Sequence, residues 1–559
     1  MFPHYHHIKY FSFVAMLSQL FFLSSCTSPS VPEHFTESQD FPSIYPDYIG
    51  VTIPVNIAPL HFHIDADASA TDFVTRFTAG DQQWTVGGED VRPGLKKWQQ
   101  MKAAALTAEG NISVEVFIKS QDAWQRQKPF DITVSKDSID PYISYRLISP
   151  SYVTYEDLTI NQRCLEDFDE SLIYGNMINS DEENGQCINC HHSQWYNPQR
   201  IQFHVRQYLG GTIIAFDGKL QKINLKTDST LSAGVYPTWH PTKPWIVYST
   251  NSTGQSFHTR DVQKIEVQDT KSNLIFYNLE TNEVTPITRD TTRFDCFPFW
   301  SPDGKYIYYV SAQWQRRDST EQMDFELIKH YKEVQYNLYR MPFDEQTLTF
   351  GPRELIYDAV ARNRSVTLPR ISPDGRWLMF TEGQFGVFHI WHNTADLFLM
   401  DLTQAAPVEP TPVAIFSSNS LPASVLPPMA NNVQRENIAD SLREAQGLRT
   451  PLPAAIRPIS ELNSPDVESW HCWSSNGHWV IFSSRRTDGN FTRPFIAHHD
   501  GNGHFTRPFE LPQDNPQYHR QFLRSYNIPE FLSGPVTIRP QDFAALIKKD
   551  ATPAQLKMK

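Results

Sequence analysis

Cys187-Ile188-Asn189-Cys190-His191 places two thiols three residues apart, with an imidazole directly after the second. This is the attachment pattern of a c-type haem. Each thiol can add to a haem vinyl group, and the adjoining imidazole can bind the iron as an axial ligand. Two other chemistries share the spacing. A Cys-x-x-Cys pair can be half of a zinc site, but no second such pair and no His-x3-His accompanies it. It can also be a thiol-redox pair, which belongs at a helix N-terminus in a βαβ unit, and nothing of that kind surrounds it. The pattern favours one covalent haem c, with Cys187, Cys190 and His191 as its attachment residues.

A sixth iron ligand would be a histidine or a methionine. His204, in Phe203-His-Val-Arg, follows the proximal histidine by 13 residues and is the first candidate, although its neighbours also suit a half-buried strand histidine. His240 is the second, because it stands where related segments carry serine. Met177 is the third. His192 is disfavoured, since the neighbour of an axial ligand points away from the iron.

The N-terminus provides the compartment such chemistry needs. Residues 1–25 carry Lys9, then the apolar run Phe11-Ser-Phe-Val-Ala-Met-Leu, then Leu23-Ser24-Ser25-Cys26. A charged start, a short apolar core and small residues before a cysteine predict an export signal. The run is interrupted by Ser12, Ser18 and Gln19 and is shorter than the ~20 residues of a membrane span. Leu-Ser-Ser-Cys resembles a bacterial lipobox, which implies cleavage before Cys26 and acylation of its thiol. Thr27 rather than Asp follows, as in lipoproteins sorted to the outer membrane. Covalent haem attachment in bacteria takes place outside the cytoplasmic membrane, so signal and motif agree.

The 559 residues suffice for two or three domains. Aromatic residues make up 13 %, and 40 prolines outnumber 24 glycines, which suits a turn-rich β protein. Without residues 1–25 the net charge falls from −13 to −14, and such an acidic chain lacks the basic surface that nucleic acid requires. Cys164, Cys296 and Cys472 remain after the motif and the lipobox, so at most one disulfide can form among them.

Residues 26–47 are Ser/Pro-rich and read as a tether. Residues 48–137 alternate, as in Val51, Ile53, Val55 and in Val114, Val116, Ile118, with one helical interruption from Gly94 to about Leu106. This predicts a β-sandwich. Residues 138–200 lose the alternation and read as an irregular, partly helical haem-carrying insert.

Repeats then set the expectation for residues 201–535. Tyr236-Pro-Thr-Trp-His-Pro, Phe297-Pro-Phe-Trp-Ser-Pro-Asp-Gly, Leu368-Pro-Arg-Ile-Ser-Pro-Asp-Gly and Trp470-His-Cys-Trp-Ser-Ser-Asn-Gly each end a strand at a tight turn and lead into another strand. Further strands at Leu274, Asn337 and Leu397 give four per repeat, which is a propeller blade. A half-blade from Gly211 precedes them, for five or six blades in all. Residues 404–465 are Pro/Ala/Ser-rich with a helix expected over 433–447, and 536–559 read as a tail.

The Ser-Pro-Asp-Gly repeats resemble TolB-type β-propeller repeats over about residues 201–512. The whole chain resembles envelope lipoproteins that join such a propeller to one Cys-x-x-Cys-His segment. Ile53-Pro-Val-Asn-Ile-Ala-Pro-Leu, Tyr236-Pro-Thr-Trp-His-Pro, Trp473-Ser-Ser-Asn-Gly and Ser525-Tyr-Asn-Ile-Pro-Glu-Phe also carry the resemblance. It implies architecture and haem, not a reaction. No Gly-x-Ser-x-Gly elbow or His-Glu-x-x-His is present. The sequence therefore favours a lipid-anchored electron carrier or redox sensor with a protein partner on the propeller. A binding scaffold with a structural haem is the alternative, and the sequence leaves open whether the chain is an enzyme.

Overall fold

The computed structural model describes residues 29–149, 156–181, 183–258, 263–410 and 450–558. The export signal, Cys26 and the helix expected over 433–447 lie outside the described residues.

The chain is mainly β. Near its start, a seven-stranded sheet and a three-stranded sheet enclose one apolar core with the helix Leu95–Thr107. The helix buries Trp98, Met101 and Ala105, one stripe at helical spacing. Trp98 Nε1 and Lys102 Nζ both donate to the Ile57 carbonyl, at 3.2 and 2.6 Å. Part of the expected tether belongs to this fold. Thr36–Glu37 and Ile44–Tyr45 add strands to the two sheets, because Ile44 and Tyr45 are buried and Phe35 packs edge-on to Phe117.

Among the described residues, the rest of the chain makes six antiparallel units of four strands. The first is Gln186–Ser193, Arg200–Gln207, Gly211–Phe216 and Lys219–Asn224. The second begins with Val235–Trp239 and the third with Arg293–Trp300, and one parallel pair, Ser272 beside Phe294, merges these two into a ten-stranded sheet. The fourth begins with Ser365–Ile371 and the fifth with Glu468–Trp473. The sixth is assembled from both ends of the chain: Ser525–Leu532 pairs with Tyr142–Ile148, followed by Thr159–Cys164 and Glu170–Gly175. The first strand of each unit packs beside the first strand of the next, and Ser525–Leu532 packs beside Gln186–Ser193.

The described part of residues 138–200 is therefore mainly strands, with two short 3-10 turns, rather than an irregular helical insert. They lose alternation because both faces are covered: Ile143 to Leu147 are all buried. The expected tail is also ordered. Helix Pro540–Ile547 packs Phe543 and Ile547 into an apolar cluster, and Thr552–Pro553 and Gln555–Leu556 add parallel edges to the first and second units.

All six first strands share one irregularity. Each has a β-bulge whose first residue adopts a left-handed conformation: Cys190, Tyr236, Phe297, Leu368, Trp470 and Ile528, with φ between 48° and 57°. Bulky side chains rarely occupy this region, at a cost of about 1–2 kcal/mol each, so six repetitions mark an element of construction. The next residue is proline in four units and histidine in two, His191 and His471.

Candidate cofactor site

The Cys-x-x-Cys-His segment is the first strand of the first unit, and its bulge separates the two thiols. Before the bulge, Cys187 is opposite Arg206 and Asn189 opposite His204, which puts all four side chains on one face. That face lines a cavity of about 950 Å³, together with Arg146, Tyr236, Trp470 and Ile528. Phe257, an exposed ring, stands at the cavity wall and marks its opening to solvent.

Two arginines furnish positive charge there. Arg206 donates to Cys187 Sγ at 3.1 Å. Arg146 is buried, donates to Asn189 Oδ1, and leaves its Nε without a partner. Burial lowers the pKa of Arg146, against the opposing pull of the Cys190 and Cys187 positions.

After the bulge the strand turns its side chains elsewhere. Cys190 and His191 line a pocket of about 20 Å³ with Pro237, Pro298, Arg370 and Glu530. Tyr236, Trp470 and Ile528 form the wall between this pocket and the large cavity. Aromatic contacts reinforce that wall, with the Tyr236 and Phe297 ring centroids 4.4 Å apart and Phe297 5.9 Å from Trp470.

His191 is 1 % exposed, and neither ring nitrogen makes a hydrogen bond of acceptable geometry, although the Ser144 backbone approaches it. A buried imidazole with two unsatisfied nitrogens costs free energy. Burial pushes its pKa down to about 4, against the pull of Glu530. The ring is neutral at physiological pH, the form that binds iron. Burial also raises the Cys190 thiol.

The chain meets part of the requirement of a covalent haem. Cys187, the cavity volume, the paired arginines and the unsatisfied His191 nitrogens fit the group. The partition between the two halves of the motif does not, because the pocket at His191 has room for about one water.

The other expected ligands separate clearly. His204 shares the cavity of Cys187, its Nδ1 lies 3.2 Å from Thr212 Oγ1, and burial lowers its pKa to about 3. His240 is a turn histidine. Its Nδ1 accepts from the Thr242 and Lys243 amides, and its ring packs 4.8 Å from that of Trp300. It replaces the turn-closing hydroxyls of Ser301, Ser372 and Ser474, which bond Asp303, Asp374 and Asn476. Met177 is 68 % exposed. His192 pairs with Glu530 at 2.6 Å. Cys164, Cys296 and Cys472 are free thiols. Sequence reasoning missed Arg146 and Arg206, and it missed His471, which follows the fifth bulge as His191 follows the first. Alignment of the repeats on Tyr236, Phe297, Leu368 and Trp470 could have shown that equivalence.

No family profile matches the chain, and no curated protein resembles it significantly. Among solved structures, a puromycin-hydrolyzing peptidase of Mycobacterium tuberculosis aligns with a TM-score of 0.24 and 9 % identity, over 73 % of this chain and 52 % of that one. The chain thus spans about half the length of that protein. Among the described residues, no helix is long and apolar enough to cross a membrane.

Proposed function

We propose that the chain is a six-bladed β-propeller that carries one covalent haem c through Cys187, Cys190 and His191 and serves as an electron carrier of the bacterial envelope. The observation that carries the reading is His191: a fully buried imidazole with both nitrogens unsatisfied, directly after two thiols at haem spacing. The cyclic order of the six first strands supports the propeller, with the last unit closed by strands from both ends of the chain.

A bound haem would supply a reversible one-electron iron couple. Cys187 and Cys190 would hold it, and neutral His191 would present its lone pair to the metal. Arg146 and Arg206 would balance the two haem carboxylates, since buried anions require counter-charge. For one haem to reach both Cys187 and His191, the wall of Tyr236, Trp470 and Ile528 between their pockets would have to open when the group is attached. The cavity mouth at Phe257 gives a partner protein access to the site, which favours a carrier over a scaffold with a structural haem.

The resemblance of Leu23-Ser24-Ser25-Cys26 to a lipobox supports a lipid anchor at Cys26, and Thr27 supports the outer membrane as its site. Protein made with the haem-maturation machinery should keep haem stain through a denaturing gel and give a c-type pyridine haemochrome. The Cys187→Ala/Cys190→Ala variant should lose both. Haem-free protein carrying an equivalent of zinc that is lost in Cys187→Ala/Cys190→Ala would replace this reading with a metal site at the two thiols.

A further inference from the structure

Away from the cavity, the structure brings three potential metal ligands together from distant parts of the chain. Asp137 follows the strand Phe130–Val134, His478 lies in the turn between Glu468–Trp473 and Trp479–Ser484, and His498 ends Arg493–His498. One ligand atom of each lies within 4.8 Å of the others. Among the described residues this is the one such cluster. Asp137 Oδ2 is 2.7 Å from His498 Nε2 and 4.0 Å from His478 Nδ1. The two imidazoles are stacked, with their planes 13° apart.

We propose that Asp137, His478 and His498 bind one divalent metal ion of the zinc class, which fastens the segment after the N-terminal sheets to the fifth propeller unit. Two imidazole nitrogens and one carboxylate oxygen form a donor set of intermediate softness. It suits zinc and disfavours calcium or magnesium, which take oxygen ligands. All three residues are part-buried, so water can supply the fourth ligand and metal can enter.

The surroundings hold the ligands in place. Ser135 Oγ and Asp137 Oδ2 are 3.1 Å apart. Trp479 packs edge-on to His498 at 4.8 Å. Ser475 donates to Asp140 from its amide and its hydroxyl, and Asn476 donates to the Ser138 carbonyl, so the two segments are already docked. Burial opposes the Asp137 charge, but hydrogen bonds from His498 and Ser135 and the nearby imidazoles hold its carboxyl below the usual range. His478 Nδ1 also lies 3.3 Å from the His499 carbonyl, a long contact that coordination would exchange for the metal.

Full-length protein, freed of metal with chelator, should take up zinc in equilibrium dialysis, and cobalt should give visible bands of a four-coordinate nitrogen–oxygen site. His478→Ala and Asp137→Asn should each remove one equivalent of bound zinc or weaken it at least tenfold, while Cys187→Ala/Cys190→Ala keeps it. His478 is the test of choice because its side chain is 40 % exposed, and its metal-free melting temperature should match that of wild type. Zinc should raise the melting temperature of wild type and not of His478→Ala. Equal zinc uptake and equal thermal shifts in wild type and both variants would overturn the proposal, as would no uptake by wild type.

Discussion

Cys187 and His204 open on the same cavity from neighbouring strands, whereas His191, four residues after Cys187, faces a different pocket. The bulge at Cys190 causes the divergence. His204, the first candidate for a sixth ligand, therefore shares the cavity of Cys187 and not the pocket of His191. In haem-loaded protein, His204→Ala should convert a six-coordinate spectrum to a five-coordinate or water-ligated one. An unchanged low-spin spectrum would remove His204 as a ligand.

His240 should behave differently. Its Nδ1 satisfies two turn amides, so His240→Ala leaves them without that acceptor and should cost about 1–3 kcal/mol by denaturant unfolding. His240→Ser, which restores the residue of the other turns, should recover part of the loss. Neither variant should change the haem spectrum.

The two motif thiols should differ in reactivity before haem is attached. Cys187 lines the large cavity beside Arg206, while Cys190 is buried with its thiol pushed upward. Brief alkylation of haem-free protein, read by peptide mass spectrometry, should label Cys187 ahead of Cys190 and Cys296, which is also buried with a raised pKa. Equal labelling would mean that the partition at Tyr236 and Trp470 is open in solution.

Trp473 is buried and donates from Nε1 to the Arg370 carbonyl at 3.2 Å, which links the fifth unit to the fourth. Trp300 is buried against His240 and Phe343. Replacement of either by alanine should cost about 3–5 kcal/mol, measured by denaturant unfolding. Small losses would argue against packed blades at these positions.

A buried acidic group predicts the pH response. Burial, with the charges of Glu468 and Glu382 adding, pushes Asp396 up to about 7, and burial pushes Glu468 up to about 7. Both native pKa values exceed those of the unfolded chain, near 4, so the native state binds more protons between pH 4 and 7. The contribution of these groups to stability is full below pH 4 and falls as pH rises toward 7. Asp396→Asn should flatten part of that fall in melting curves taken across the range.

The tryptophan and Ser-Pro-Asp-Gly repeats were legible because a tight turn requires particular residues: Ser301, Ser372 and Ser474 close theirs through their hydroxyls. The sixth unit was not legible. Its first strand, Ser525–Leu532, lies far in sequence from its partner Tyr142–Ile148, and strands buried on both faces lose the period-2 signal. At the site, the types and spacing of Cys187, Cys190 and His191 were readable. The bulge that divides them was not, since a left-handed cysteine has no sequence signature. His204 was readable as a strand histidine, but Arg146 came to the cavity only through the pairing of distant strands.

Closure of the last unit by Ser525–Leu532 also imposes an order of events. As the chain emerges from its N-terminus, Tyr142–Ile148 must wait as an open edge while five units form, and Gln186–Ser193 lacks its neighbour on that side. In that interval Cys190, buried in the finished fold, lacks the cover of Ile528 and Glu530. A chain that ended before residue 525 would keep the interval open indefinitely, with an unpaired strand edge free to join another chain.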